Sequence, residues 1–210
     1  MRRFIFAAFA AVLFLPSAVH ARPISYPGGW MAMTMNDFSS NAFDVIYTPS
    51  PQWSAAVRHE YLRGSRVSAD TVQVNYLLQR WNNPGSQGNL YLQGGAGGAW
   101  KSGDGQRAAA SAGMSADWES RRWFLAYENR FFTAGNLDRG AHHLARIGMA
   151  PYIGHYGDTH TWLMLQADYY SNEDKRFTVT PLVRLFRGND LAELGVNLRG
   201  GVLFHYMHTF

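Results

Sequence analysis

Apolar side chains recur at every second position through most of this chain, and past residue 21 no apolar stretch is long enough to cross a membrane as a helix. The longest such stretches, Trp162–Leu165 and Gly201–Phe204, fall far short of the roughly 20 residues a spanning helix needs. Strand side chains point alternately to two faces, so a period of two argues for β-structure throughout. Thr161, Leu163, Leu165, Ala167 and Tyr169 share one face, with His160, Gln166 and Asp168 on the other. After the polar turn Ser171–Asp174, Phe177, Val179, Pro181, Val183 and Leu185 oppose Thr178, Thr180 and Arg184. The same reading holds backwards through Trp123–Phe131, Ala108–Trp118, Leu90–Trp100, Val72–Leu78 and Trp53–Tyr61. Turn-rich pieces such as Thr48–Pro51, Asn82–Gly85, Lys101–Gly105 and Arg187–Asp190 separate the runs.

The first residues carry a different pattern. Arg2 and Arg3 precede an unbroken apolar run, Phe4–Leu15, which Pro16 and Ser17 break before Val19-His20-Ala21. A basic start, a short apolar run and small residues at a cleavage point are the layout of a secretory signal peptide. Residues 1–21 are therefore expected to be removed on export, leaving 22–210 as one domain. The formal charge of +4 falls to +2 once Arg2 and Arg3 leave, which excludes a nucleic-acid footprint. With no cysteine, neither a disulfide framework nor thiolate chemistry is available.

Strands of about ten residues separated by turns suit an antiparallel, up-and-down transmembrane β-barrel, since helices and closed barrels alone satisfy every backbone group in lipid. A soluble lipocalin-like barrel also alternates and is the competing fold. Aromatics near the ends of apolar faces, among them Trp53, Trp100, Trp118, Trp123 and Tyr169, favour the membrane version. The chain ends Val202-Leu-Phe-His-Tyr-Met-His-Thr-Phe210, with Phe204, Tyr206 and Phe210 in one phase. This ending resembles the C-terminal signature of bacterial outer-membrane β-barrels, although His208 stands where that class places an apolar residue. The resemblance implies a bacterial outer-membrane location, contact with outer-membrane lipid, and recognition of Phe204, Tyr206 and Phe210 by the barrel-assembly machinery. Phase bears on the strand count. Met31, Met33 and Met35 share parity with Phe43, Val45 and Tyr47, and Leu194–Leu198 with Val202–Phe210. Reading each end as one strand gives about ten, with eight and twelve open.

The face opposite the apolar one collects charge. Arg58, Arg107, Arg122, Arg130, Arg146, Arg176, Arg184 and Arg199 accompany Glu60, Asp117, Glu128, Asp168 and Glu193. In a small barrel such a lumen is either an ion-pair network that fills the inside or a narrow pore whose arginine excess favours anions. Connections of at most about seven residues leave little room for function on loops. A structural or narrow-pore, transport-type barrel is the first functional expectation, with no cofactor. A lipid-modifying barrel enzyme is the second, though no serine, histidine and acid set stands out. The third is a soft-metal barrel: Met31, Met33 and Met35 share a face, and closure would bring the first strand beside His205, Met207 and His208. Thioether and imidazole donors suit copper, while methionine is also ordinary apolar filler.

Overall fold

A computed structural model describes residues 23–155, 157–174 and 176–210; the leader assigned to residues 1–21 lies outside them. Twelve antiparallel strands follow one another: β1 (Gly29–Asn36), β2 (Ser40–Ser50), β3 (Trp53–Leu62), β4 (Val67–Asn83), β5 (Ser86–Lys101) and β6 (Gly105–Ser120). The second half is β7 (Trp123–Thr133), β8 (Arg139–Met149), β9 (His160–Tyr170), β10 (Phe177–Arg187), β11 (Asp190–Val196) and β12 (Val202–Thr209). Each strand pairs with its sequence neighbours, and β1 pairs with β12 from Met31↔Thr209 to Asn36↔Phe204, closing the sheet into a barrel.

The expected ten strands become twelve because a side-chain-capped turn interrupts the phase at each end. Asp37 Oδ1 accepts hydrogen bonds from Ser39 N, Ser39 Oγ and Ser40 N, all at 2.7 Å, folding β1 back onto β2. Asn197 Oδ1 does the same for Arg199 N and Gly201 N at 2.9 Å between β11 and β12. Shared parity therefore misleads at the first hairpin. Met31 is buried inside the barrel while Phe43, Val45 and Tyr47 are exposed outside. The loops also correct an expectation: the β8–β9 connection spans 150–159, longer than about seven residues. Pro151 cannot donate to a ladder, and Tyr152 Oη spans the loop to the Thr159 carbonyl oxygen at 2.6 Å.

The polarity is inverted relative to a water-soluble barrel. Val57, Val72, Val74, Leu92, Leu125, Ile147, Leu163, Leu165, Leu185 and Leu194 all stand exposed on the outer wall. Inward positions hold Asp44, Glu60, Gln166, Asp168, Arg184 and Glu193, all buried. Exposed apolar surface on this scale needs an apolar solvent or a partner. Aromatics band the wall at both ends. Trp30, Tyr47, Trp53, Tyr76, Trp118 and Trp123 ring the rim that carries the termini, and Tyr61, Trp100, Phe131, Tyr169 and Phe177 ring the opposite one.

Inside, three apolar clusters brace the wall: Val67, Ala69, Ala99, Ala109, Phe132 and Leu137; Phe124, Trp162, Met164, Leu182 and Leu203; and Met31, Ile46, Ala56, Leu191 and Met207. The inner faces of β5 and β6 are lined with small residues, and strands approach there closely. A Cβ at Gly97 would lie 1.9 Å from the Asp70 carbonyl oxygen, whereas one at Gly94 meets nothing nearer than 4.0 Å. Gly97→Val is expected to destabilise the barrel by about 1–3 kcal/mol through overpacking, with Gly94→Val near neutral. Urea unfolding in detergent micelles checks this; equal midpoints for the two variants would remove the close approach as a constraint.

Candidate functional site: a cross-braced lumen

Strand alternation delivers polar side chains to the lumen from every side, and two carboxylates organise them. Glu60 on β3 receives Arg58 Nη2 at 3.0 Å from its own strand. From β7, Arg130 reaches it with a two-pronged contact, Nη1–Oε1 at 2.9 Å and Nη2–Oε2 at 2.7 Å. Arg58 Nη1 also donates to Asp44 Oδ2 on β2 at 3.0 Å. Glu193 on β11 accepts Arg184 Nε at 2.6 Å from β10, Arg146 Nη1 at 2.8 Å from β8, and shares His205 Nδ1 at 3.0 Å from β12.

Two of these pairs join strands that are not neighbours in the sheet. Arg130 and Glu60 connect β7 to β3, and Arg146 and Glu193 connect β8 to β11, so both bridges run across the lumen rather than along its wall. A bidentate guanidinium–carboxylate contact fixes direction as well as distance, which suits a brace across open space. From Arg146 the network continues through Gln166 to Asp168, which Gln166 Nε2 meets at 2.9 Å and His142 Nε2 at 3.0 Å. The His142 ring lies flat on Tyr170, with centroids 4.1 Å apart, and Tyr170 Oη donates to Asp37 Oδ2 at 3.2 Å. A separate link near the termini joins Arg80 Nε to Asn89 Oδ1 at 2.7 Å, and Asn89 Nδ2 to Asp117 Oδ1 at 2.8 Å.

The braces divide the lumen into two cavities, of about 200 Å³ towards the termini and about 130 Å³ towards the opposite rim. Six side chains border both: Met35, Arg58, Glu128, Arg130, Leu144 and His205. Both mouths are narrowed. At the terminal rim Pro23 lines the cavity, held by Ser54 Oγ donating to its carbonyl oxygen at 2.5 Å. At the other rim Asp138 ties three connections together, accepting from Ser65 Oγ at 2.9 Å and Asn172 Nδ2 at 2.8 Å. Charge differs between the compartments. Asp44, Asp117, Glu128 and Glu193 balance Arg58, Arg130, Arg146 and Arg184 in the first cavity. Asp37, Glu60, Glu128, Asp138 and Glu173 outnumber Arg58 and Arg130 in the second.

Of the residues the sequence assigns to the lumen, Arg58, Glu60, Asp117, Glu128, Arg130, Arg146, Asp168 and Arg184 point inward between the rims. Three do not. Arg107 is exposed at the rim, with Nε donating to Asn136 Oδ1 at 2.9 Å; Arg122 lies in the β6–β7 turn; Arg199 lies in the β11–β12 turn. Arg176 sits before β10 and is exposed. Alternation misassigned them because phase does not give height along the barrel: Arg122, Arg176 and Arg199 lie outside the strands, and Arg107 sits at the rim end of β6. With them goes the arginine excess. Asp44 was legible as an inward position opposite apolar ones. Arg80 shares the phase of outward Val72–Leu78 and turns inward only because the register shifts between Leu77 and Gln79. Asp37, Asp138 and Glu173 belong to loops, where no period exists.

Phe204, Tyr206 and Phe210 all face outward, and Phe210 N donates to the Trp30 carbonyl oxygen at 2.8 Å across the closing seam. His208 faces outward too, with Nδ1 2.7 Å from Asp190 Oδ1 and its ring edge-on to Phe210. Met33 and Met35 line the larger cavity with His205, while Met31 is packed in the third apolar cluster. For the lipid-enzyme alternative, His142 and Asp168 form a pair, but no serine hydroxyl is hydrogen-bonded to that histidine among the described residues.

No protein-family model matches the chain, and no curated protein matches it significantly. Solved structures do. A KdgM porin in complex with disordered oligogalacturonate superposes with a TM-score of 0.52 at 9% identity, covering 87% of this chain and 98% of that one. A further KdgM porin structure gives 0.49 at 8% identity, with the same coverage. At this identity the likeness is one of fold: a closed, all-antiparallel β-barrel is shared over nearly the whole length of both chains.

Glu60→Gln is expected to cost about 3–5 kcal/mol, because it leaves the Arg58 and Arg130 guanidiniums buried against a neutral partner. Denaturant titration in micelles measures it; a loss below 1 kcal/mol would mean that water already screens the brace.

Proposed function

We propose that this protein is a small bacterial outer-membrane β-barrel of porin type, exported by its leader, whose lumen is a narrow passage throttled by transverse ion pairs and selective for small cations. The apolar outer wall with two aromatic girdles supports the membrane setting, and the fold shared with a porin supports the transport class. The observation that carries the narrowness is the pair of bridges across the lumen, Arg130–Glu60, whose arginine borders both cavities, and Arg146–Glu193, which lines the cavity towards the termini. Sign follows from the lining. Five carboxylates against two guanidiniums at the mouth opposite the termini favour cations, contrary to the anion preference that the arginine count first suggests. The porin relative was solved with an oligogalacturonate, a chain of carboxylate sugars. An acidic mouth does not suit such a polyanion, so the cargo of this barrel differs.

Glu173, in the β9–β10 loop, is held above the ordinary carboxylate range by its burial and by Asp138, Asp174 and Asp37 around it. Because its value is raised, it loses its charge at a higher pH than an ordinary carboxylate. As pH falls, the mouth begins to lose negative charge there first. In planar bilayers under a salt gradient, the protein is expected to give small conductance steps with cation selectivity that weakens on acidification. Glu173→Gln should remove the earliest part of that pH response. Silent membranes would contradict the pore, and anion selectivity would contradict the reading of the mouth.

A further inference from the structure

The methionines are concentrated where the barrel closes. Four of the eight in the sequence, Met31, Met33, Met35 and Met207, fall on the paired strands β1 and β12, and all four face inward. Register places Met33 directly opposite Met207 and Met35 directly opposite His205. These four side chains form a two-by-two block on one face, where opposite residues have Cβ atoms about 5 Å apart. All four line the larger cavity, so the block borders open space. Met31 lies one step nearer the terminal rim and is packed against Ile46, Ala56 and Leu191.

His205 gives the block its chemistry. Its Nδ1 lies 3.0 Å from Glu193 Oε2, and an ionised carboxylate only accepts, so Nδ1 carries the proton. In the neutral ring Nε2 then presents a lone pair, and that atom is buried without a hydrogen-bond partner. A carboxylate holding the far nitrogen of a histidine is the arrangement that orients metal-binding imidazoles. Methionine is long and unbranched, so three thioethers around this imidazole can converge on one point from their positions in the block.

We propose that Met33, Met35, Met207 and His205 Nε2 form a binding site for a soft monovalent cation, Cu(I) or Ag(I), on the inner wall of the barrel at its closing seam. The donor set selects the ion. Thioether sulfur and imidazole nitrogen prefer soft metals and offer nothing to calcium or magnesium. All four donors are neutral, and Arg146 and Arg184 already crowd Glu193, so the surroundings suit one positive charge better than two. Binding involves no electron transfer, and it does not depend on whether the lumen conducts.

The test uses the full folded barrel in detergent, titrated anaerobically with Cu(I) in competition with bicinchoninate, and with Ag(I) by calorimetry. The wild type is expected to bind one equivalent. The triple variant Met33→Leu/Met35→Leu/Met207→Leu, which keeps the apolar volume, should bind at least tenfold more weakly. So should His205→Asn, whose amide can still donate to Glu193 while lacking Nε2. Heat-dependent gel migration of each variant separates lost binding from lost folding, and single Met→Leu variants take over if the triple fails to fold. No binding by the wild type, or undiminished binding by folded methionine and histidine variants, would overturn the site and leave the methionines as apolar filler.

Discussion

In hydrocarbon a backbone N–H or C=O without a partner costs several kcal/mol, and a sheet with free edges carries a whole row of them. Everything else in this molecule follows from removing those edges. The seam between β1 and β12 does so, running from Met31↔Thr209 to Asn36↔Phe204 and finished by the Phe210 N to Trp30 carbonyl bond. Once the sheet is closed, every strand has one face towards the lumen and one away from it. The alternation of side chains becomes an alternation of lumen and outer wall.

Closure also creates the problem that the interior solves. Inward positions on β3, β7, β8 and β11 face one another across the lumen, and charges buried there do not stand alone. The transverse bridges neutralise them in pairs and hold opposite walls apart at fixed distance. Their geometry is the same feature that limits the bore: a guanidinium bonded to a carboxylate across the lumen occupies the path a solute would take. Stability and bore are therefore coupled in Arg130–Glu60 and Arg146–Glu193, and a change that removes either bridge exposes buried charge.

The barrel was legible in the sequence because the period of two is a direct consequence of strand geometry, and the wall residues Val57, Val72, Leu163 and Leu185 carry it plainly. Strand number was less so. At Asp37–Ser39 the turn is made by side-chain caps that leave no glycine, and the parity of Met31–Met35 runs unbroken into Phe43–Tyr47 on the other face. Phase points to the interior where a strand carries the residue, as at Arg58, Glu60, Arg130 and Arg184, whose side chains lie inside the barrel. Arg107, Arg122 and Arg199 were misplaced because phase says nothing about height along the barrel axis. The pairing of Glu60 with Arg130, seventy positions apart, has no local signal at all. The meeting of Met33 and Met35 with Met207 and His205 needed only the closure of first strand on last, a topological rule that the sequence supports.

The account stands on a closed sheet in a lipid setting, and one comparison addresses it most directly: gel migration of the outer-membrane fraction with and without boiling. A closed barrel keeps its backbone bonds internal and resists unfolding by detergent until heated. The expected result is a band in that fraction whose mobility changes on boiling. Recovery of the protein in a soluble fraction, with identical migration before and after heat, would contradict the membrane barrel and return the alternation to a lipocalin-like fold.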